Sequence, residues 1–393
     1  MTRMKDSGIE WIGEVPEEWG IVRLKDCLEI NNGKDYKDIE TDETGYPVIG
    51  SGGQFAYARK YLHDGTAILL GRKGTIDKPL YIEGKFWTVD TMFYSVPKSG
   101  IYAKFIYYVA LQIPFGLYST NTALPSMTQT DLQNHHFVMP PLDEQTQIAD
   151  FLDKKVAQLD KVKSLLEEQI KTLEDYRQSL IYETVTKGLD KTVPLKDSGV
   201  DWIGQIPEGW GVSRLKYLTN KIGSGKTPLG GAEVFQTEGI LFIRSQNVFD
   251  GRLVLEEKST YIDLQTHNSM ISTEVMEQDI LFNITGASIG RVSIYNFVQK
   301  ANVNQHVAII RGSEKVKPTY LMYYLMSCIG KFQVALNQVG GNREGLTFEQ
   351  LKQFIIAFPT REEQTKIADF LDKKTEQINQ MIAIKKEQIE NIN

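Results

Sequence analysis

The sequence is poor in the residues that build disulfide and metal sites. Of its 393 residues only two are cysteines, Cys27 and Cys328, and neither belongs to a C-x-x-C pair. This spacing argues against a disulfide framework and against a structural zinc site, so we expect both cysteines to be small residues of the core. The five histidines are scattered except for His135 and His136, and adjacent residues cannot share one face of a helix or strand as metal ligands. We therefore expect no metal site.

Long apolar runs are also missing. No stretch approaches the roughly 18 apolar residues that a membrane helix needs, and the first residues, "MTRMKDSGIEWIG", contain no apolar segment of the kind that secretory signals carry. We expect a cytoplasmic protein without a membrane segment.

An excess of positive charge is absent as well. The net charge of -6 would usually count against nucleic acid as a partner, because phosphate neutralisation needs clustered Lys and Arg. The charge is unevenly distributed, however. Residues 212–360 carry 15 basic and 12 acidic side chains and residues 21–141 carry 12 of each, whereas residues 142–190 carry 7 basic and 11 acidic ones. Two neutral-to-basic blocks between acidic connectors are compatible with DNA binding but do not establish it.

What the sequence does contain is a tandem repeat. Residues 5–25 recur as residues 196–216 with fourteen of 21 positions identical, and "EQTQIADFLDKK" (144–155) recurs as "EQTKIADFLDKK" (363–374) with eleven of twelve identical. The offsets are 191 and 219, so the second copy holds 28 additional residues between its two repeated passages. Each copy therefore has a shared head, a divergent middle and a shared tail.

The tails predict long helices. Pro140 and Pro141 precede the first, where Asp143 can act as the cap, and Gly188 suits its C-terminal end. The second begins with the capping box Thr360-x-x-Glu363. Apolar residues then recur at heptad spacing, interrupted by Gln169: Leu152, Leu159, Val162, Leu166, Leu173, Tyr176 and Leu180. The second helix offers Leu371, Ile378 and Met381, or a neighbouring stripe with Ile382 and Ile389.

Two arrangements of these helices are open: each packs on its own domain, or the two pair with each other. We favour pairing, because so long and narrow an apolar face needs an equally long partner.

The divergent middles read as α+β domains. Short apolar runs separated by turn residues, such as "TAILLGRKG" and "DILFNIT", are typical of strands, and each middle adds a short helical patch, "KFIYYVALQ" or "TYLMYYLMS".

No motif for catalysis is complete. "GSGKT" (223–227) has Asn220 where a phosphate loop needs its first glycine, and "MPPL" (139–142) lacks the amide and the aromatic residue of an adenine-methyltransferase tetrad. These patterns disfavour a self-contained nuclease or methyltransferase.

Several of these passages carry a family resemblance. "PEEWGIVRLK" and "PEGWGVSRLK", "ILFIRSQNV", "DILFNITGASIGRVSI", "NVNQHVAIIR" and "PTREEQTKIADFLDKK" together resemble the specificity (S) subunit of type I restriction-modification enzymes over essentially the full length. The motif E-Q-x-x-I-A-x-F-L-D occurs twice, beginning at Glu144 and at Glu363.

The resemblance implies a pseudo-twofold tandem repeat of fold class α+β, in which two target-recognition domains are joined by two long antiparallel helices that form a coiled coil. The domains would be residues 1–141 and 191–359, with spacer helices at 142–190 and 360–393. Each domain would read one half of a gapped double-stranded DNA site. The chain itself would be non-catalytic and hold no cofactor. Two methyltransferase (M) subunits would use S-adenosylmethionine, and restriction (R) subunits, where present, would use ATP with Mg²⁺.

Candidate DNA-binding residues follow from the chemistry of readout, in which Arg pairs with guanine, Asn or Gln with adenine, and Lys, Ser and Thr contact phosphates. In the first domain we predict Arg59, Lys60, Arg72, Lys73, Thr75, Lys78 and Asn121. In the second we predict Lys226, Asn283, Thr285, Ser288, Arg291, Asn342 and Arg343.

Two groups near these candidates have structural interpretations. The segment Arg244-Ser245-Gln246-Asn247 either reads DNA or satisfies a turn at a strand end. The tryptophans of the repeated heads, Trp11, Trp19, Trp202 and Trp210, are expected to anchor the fold. The alternative function from another class is a coiled-coil assembly scaffold that does not read DNA.

Overall fold

The computed structural model of the chain describes residues 3–10, 12–42, 44–118, 125–255, 259–338 and 345–392. Two compact units are present, an N-terminal unit of residues 1–162 and a C-terminal unit of residues 163–393. The boundary between them falls inside one helix, Leu142–Lys187. None of the described helices combines the length and the apolar character needed to cross a membrane.

The N-terminal unit begins with hairpin strands and ends in the long helix. Its elements are β1 (Met4–Asp6), β2 (Glu14–Pro16), β3 (Gly20–Arg23), α1 (Leu24–Cys27), β4 (Leu28–Asn32), β5 (Glu40–Thr41), β6 (Tyr46–Gly50), β7 (Gly53–Ala58), β8 (His63–Asp64), β9 (Ala67–Gly71), β10 (Leu80–Ile82), β11 (Lys85–Thr88), β12 (Met92–Pro97), α2 (Ala103–Leu111), α3 (Phe115–Tyr118), α4 (Gln129–Asn134), β13 (His136–Met139) and α5 (Leu142–Lys187).

The C-terminal unit contains the end of α5 and a second domain. Its further elements are β14 (Leu195–Asp197), β15 (Gln205–Pro207), β16 (Gly211–Arg214), β17 (Thr219–Ser224), β18 (Ile240–Ile243), β19 (Val248–Phe249), β20 (Arg252–Leu253), β21 (Tyr261–Ile262), α6 (Leu264–Ser269), β22 (Glu274–Val275), β23 (Ile280–Asn283), β24 (Val292–Ile294), β25 (Ala301–Val303), β26 (Val307–Gly312), α7 (Pro318–Met326), α8 (Cys328–Asn337), α9 (Phe348–Lys352), β27 (Ile355–Phe358) and α10 (Arg361–Glu390).

The divergent middles have the same sheet topology. In the N-terminal unit one antiparallel sheet has the order β10-β9-β12-β4, and in the C-terminal unit the corresponding order is β24-β23-β26-β17. A second sheet in each unit contains one parallel pair, β6 with β11 and β18 with β25. The heads and tails pair alike too, β3 with β13 and β16 with β27. The repeat thus extends through the parts of the chain whose sequences differ.

Apolar strands supply the core of each domain. All five residues of β9 are buried, as are all four of β23, which is the pattern of strands covered on both faces. The predicted helical patches form α2 and α7, and they pack against these strands. Cys27 is a core residue as expected, whereas Cys328 is exposed at the start of α8. The expectation for Cys328 was therefore wrong, because the helical patch ends one residue earlier, at Ser327.

The ends of the long helices largely match their sequence signals. Helix α5 stops at Lys187, and Gly188 follows with φ of +69°, a left-handed conformation that costs glycine little. Asp143 lies inside the first turn of α5 and does not cap it, because the helix already begins at Leu142. The hydroxyl of Thr360 caps α10 by accepting a hydrogen bond from the Glu363 amide. The Glu363 carboxylate, however, is used elsewhere.

The two long helices pair within the C-terminal unit. Arg177 donates a hydrogen bond to Asn379, and eight residues earlier in α5 Gln169 accepts one from Lys385. Contacts nearer the N-terminus of α5 are therefore nearer the C-terminus of α10, so the two helices are antiparallel. The same segments also pack on the second domain, since Ile181 of α5 and Leu371 of α10 belong to its core. Pairing and packing on the domain therefore occur together.

The heptad seam of α5 was predicted only in part. Leu159, Val162 and Tyr176 are exposed by 45–54%. Helix α5 has 46 residues and α10 has 30, so a helix pair cannot extend along all of α5. In α10 both stripes contribute to the buried face, because Leu371 and Ile378 are 0% and 2% exposed and Ile382 is 7% exposed, whereas Met381 is 43% exposed.

Candidate nucleic-acid interface

Each domain is joined to its long helix by a repeated hydrogen bond. The indole of Trp19 donates to the Glu144 carboxylate at 2.7 Å, and the indole of Trp210 donates to the Glu363 carboxylate at 3.1 Å. These bonds explain why tryptophan in the head and glutamate in the tail recur together. They also explain why Glu363 does not close its capping box. Trp19 and Trp210 act as anchors of the fold, as predicted, and Trp11 lies outside the described residues.

The neighbouring glutamine of each tail fixes the backbone of its domain. The Gln145 side chain accepts a hydrogen bond from the Tyr102 amide and donates one to the Pro140 carbonyl. Gln364 does the same with the Lys317 amide and the Pro359 carbonyl. Both amides lie at the start of the domain helices α2 and α7, so the E-Q dipeptide sets where those helices begin.

The aspartate at the end of the repeated tail motif adds a third contact. We call the contacts of each tail with its domain the joint, formed by Glu144, Gln145 and Asp153 in the first copy and by Glu363, Gln364 and Asp372 in the second. Asp153 accepts a hydrogen bond from the Tyr108 hydroxyl, and Asp372 accepts one from the Tyr323 hydroxyl, both at 2.8 Å. The two aspartates differ in charge environment. Hydrogen bonding from the Lys104 ammonium holds the pKa of Asp153 below its usual range, whereas desolvation raises the pKa of Asp372. The joint is thus duplicated in geometry but opposite in its response to pH.

Seven of the fourteen residues predicted to contact DNA lie in one pair of equivalent loops. The loop of residues 72–79 connects β9 to β10, and the loop of residues 284–291 connects β23 to β24. Gly74 and Gly286 adopt positive φ values of 82° and 73°. Lys73 and Thr285 each form an isolated β-bridge, to residues 126 and 345 respectively. We refer to these two segments as the recognition loops.

The N-terminal recognition loop presents cations to solvent. Lys73, Thr75 and Lys78 are exposed. Arg72 is half-buried and donates a hydrogen bond to the Asp90 carbonyl, with its guanidinium 5.8 Å from the centre of the Phe93 ring. An arginine held in this way keeps a defined orientation for bidentate contacts.

Two further candidates of the first domain lie away from this loop. Arg59 and Lys60 are exposed just after β7, and the Arg59 guanidinium donates a hydrogen bond to the Asp38 carbonyl. Among the described residues, neither of them shares a hydrogen bond or an ion pair with residues 72–79.

The C-terminal recognition loop is more heavily braced. Asn283 is fully buried, and its side-chain amide donates to the Ser245 carbonyl and to the Ser288 hydroxyl. Thr285 is half-buried and forms a hydrogen bond of 2.6 Å with His306. Because Asn283 is buried and its amide holds the loop, its position gives no support to a DNA contact. Arg291 is half-buried, and its guanidinium lies 4.8 Å from the centre of the Phe249 ring.

The segment from Arg244 to Asn247 serves a turn. Asn247 is 1% exposed, accepts a hydrogen bond from the Arg244 amide and donates one to the Val254 carbonyl. The structural interpretation of this segment is therefore the better one for Asn247. Ser245 contributes the carbonyl that Asn283 uses, so the turn also supports the recognition loop.

Lys226 has an equivalent that the sequence did not suggest. Lys226 is exposed immediately after Gly225, where a side-chain carbon would lie 1.8 Å from the Val303 carbonyl oxygen. Gly33 is constrained in the same manner by the Val89 carbonyl, at 1.9 Å, and exposed Lys34 follows it. Gly225 of "GSGKT" thus allows the backbone to pass close to the Val303 carbonyl. The Gly-Lys pair that recurs directly after β4 and β17 is the sequence signal that could have identified Lys34.

Three candidates lie outside the described residues: Asn121, Asn342 and Arg343. Among the residues that the structure does describe, no three His, Cys, Asp or Glu side chains are placed to hold a metal ion.

The fold and the paired loops define a class of protein built from two domains that share their main antiparallel sheet. Each domain is joined to a long helix by the same bonds, and the two present equivalent loops with different side chains.

Comparison with known proteins identifies the family. The type I restriction modification DNA specificity domain matches residues 16–174 and 207–391, and the chain belongs to this family of type I specificity subunits. The chain is 26% identical to the EcoBI specificity subunit of Escherichia coli, over 96% of this chain and 85% of that one. It is 25% identical to the MjaVIII specificity subunit of Methanocaldococcus jannaschii, over 96% and 90%.

Solved structures show the same fold. The chain resembles one from a study of complex assembly and conformational transition in a type I R-M system, with a TM-score of 0.73, 18% identity and coverage of 96% of this chain and 95% of the other. The HsdS subunit of Thermoanaerobacter tengcongensis gives a TM-score of 0.56 at 18% identity, with 98% and 97% covered. Nothing in these comparisons supports a scaffold that does not recognise DNA.

Proposed function

We propose that this chain is the DNA sequence-specificity subunit of a type I restriction-modification enzyme, in which each domain reads one half of a bipartite, gapped site. The observation that carries the proposal is the pair of recognition loops. They occupy equivalent positions in two domains of the same topology, yet one offers Arg72 and Lys73 where the other has Ile284 and Thr285. Loops at the same position with different chemistry suit two readers of different sequences.

The partners follow from the repeated joint. Two nearly identical head and tail surfaces in one chain allow two copies of one partner to bind in equivalent settings. We therefore propose that two methyltransferase subunits dock on the chain and supply S-adenosylmethionine-dependent methylation, while restriction subunits, where present, supply ATP- and Mg²⁺-dependent activity. In this proposal the chain itself is non-catalytic and the long helices set the gap between the half-sites.

The test is mapping of adenine methylation in a host that carries the chain with its methyltransferase partner. We expect an asymmetric motif of two short blocks separated by a fixed gap. A continuous or perfectly palindromic motif would contradict two different readers. In the same host, Arg72→Gln is expected to relax one block only, because Arg72 belongs to one domain. Equal loss at both blocks would also count against the proposal.

A further inference from the structure

A cleft of about 580 Å³ opens within the C-terminal unit between the paired helices and the second domain. Arg177 of α5 and Lys386 of α10 contribute to its helical wall. Phe249, Arg252 and Arg291 contribute to the domain wall. The cleft therefore adjoins the end of the recognition loop, although most of its residues come from elsewhere in the chain.

The charge of the cleft is positive. Four cations line it, namely Arg177, Arg252, Arg291 and Lys386, against two carboxylates. One of these, Asp250, already accepts hydrogen bonds from Lys331 at 2.8 Å and from a backbone amide. Within the described parts of the chain, none of the four cations has a carboxylate partner. Clustered cations that outnumber the neighbouring carboxylates and form no ion pair with them favour an anionic ligand.

The cations are held in place without being neutralised. The guanidinium groups of Arg252 and Arg291 lie 5.5 and 4.8 Å from the centre of the same Phe249 ring. Such stacking orients a guanidinium while leaving its N–H edge free for oxygen acceptors. Arg177 is oriented by Asn379, a neutral amide, at 2.6 Å. Planar donors fixed in this way match the geometry of phosphate oxygens.

We propose that this cleft binds phosphates of the DNA backbone, so that the paired helices themselves contact DNA beside the second half-site. The inference rests on the proposed function, since it assumes that the chain binds DNA through its domains. DNA is the ligand that the cleft favours because Arg291 belongs to both the cleft and a recognition loop. Phosphate contacts fix register and affinity but carry no sequence information.

The test uses the full chain with its methyltransferase partner and a duplex that carries the mapped motif. The variant Arg177→Gln/Lys386→Gln removes both helical cations, and Arg252→Gln removes one exposed domain cation. Lys373→Gln is the matched control, because Lys373 is exposed on α10 but does not line the cleft. Binding is measured by fluorescence anisotropy at several salt concentrations, and each variant is first checked for wild-type thermal unfolding.

Each lost phosphate contact is expected to reduce the slope of log affinity against log salt by about 0.9, which is about 8-fold in affinity at 0.1 M salt relative to 1 M salt. The double variant should lower the slope by about twice that amount, and Arg252→Gln should lower it by that amount once. Lys373→Gln should leave the slope unchanged. The preference for the motif over unrelated DNA should stay unchanged. Cleft variants with the slope of the control would overturn the inference.

Two other outcomes distinguish failure of this inference from failure of the proposed function. If the wild-type complex shows no preference for the motif, the proposed function fails first. If the wild-type complex binds the motif and the variants lose only the methyltransferase subunit, the cleft binds an acidic protein surface and the inference is wrong.

Discussion

The hydroxyl of Tyr320 offers a single-atom test of how the second domain is fastened to α5. Tyr320 is completely buried, and its hydroxyl lies 3.1 Å from the Val185 carbonyl oxygen and 2.8 Å from that of Ala357. The Val185 carbonyl belongs to the last turn of α5, where carbonyls have no partner within the helix. Tyr320→Phe would leave both carbonyls without this donor while keeping the ring.

The free-energy cost of Tyr320→Phe can be bounded. Loss of a buried hydrogen bond that leaves its partner unsatisfied costs about 1–3 kcal/mol, which is about a 5- to 150-fold increase in the opening equilibrium. The phenylalanine ring should fit, because the equivalent position of the N-terminal unit is Phe105, buried at 5% exposure. The predicted loss is therefore due to hydrogen bonding and not to packing.

Amide hydrogen exchange of the full chain is the suitable assay, since it reports local opening free energies element by element. Peptides covering α7 and β27 should exchange faster in Tyr320→Phe, whereas β9 and β12 of the N-terminal unit should not change. Tyr217→Phe is the control, because Tyr217 lies in the same unit but is 60% exposed, so loss of its hydroxyl leaves no buried group unsatisfied. A change below about 2-fold at Tyr320, or an equal change at both positions, would refute the reasoning.

Two further predictions concern the joints and the glycines. Gly225→Ala should destabilise the C-terminal unit by about 1–3 kcal/mol, because the new carbon would meet the Val303 carbonyl, whereas the carbon added by Gly223→Ala, two residues earlier in β17, meets nothing within 4 Å. Urea midpoints that shift equally in the two variants would contradict this. The two joints should respond oppositely to acid. Because the pKa of Asp153 is lowered by Lys104, its stabilising contribution is present above the unfolded pKa of about 3.9 and is lost as pH falls through the folded pKa. Because the pKa of Asp372 is raised by desolvation, the second joint gains stability as pH falls from the folded pKa of Asp372 towards the lower unfolded pKa of about 3.9. Exchange of peptides from α2 and α7 between pH 6 and 3, corrected for the intrinsic rate, measures both, and Asp153→Asn should remove the first effect.

Local signals in the sequence predicted the ends of elements well. Gly188 ends α5 and Thr360 caps α10 because each acts on backbone groups within four residues. The strand runs were also recognisable, since residues such as those of β9 and β23 are apolar throughout. Pairing of the helices followed from their long apolar faces, and the antiparallel direction was implied by the family resemblance. The extent of the pair followed from neither, because exposure of Leu159 and Val162 depends on how much of α5 a shorter helix can cover.

Long-range partners could not be predicted. Nothing near Glu363 in sequence indicates that its carboxylate binds Trp210, 153 residues away, instead of closing a capping box. The amide of Asn283 had the chemistry for adenine, yet its burial depends on Ser245, which lies in a different turn. The cleft was missed for the same reason, because Arg177, Arg252 and Lys386 come from three separate elements. Shared topology of the middles was hidden by their divergent sequences.

The duplicated joint also creates a hazard during folding. The indole of Trp19 and the carboxylate of Glu363 are as well matched chemically as the native partners, so the head of one copy could dock on the tail of the other. Domains generally fold in the order of their synthesis, and mispairing between similar units is a characteristic failure of repeat proteins. Here Trp19 and Glu144 both leave the ribosome before residue 210 is made. Order of synthesis thus protects the correct pairing.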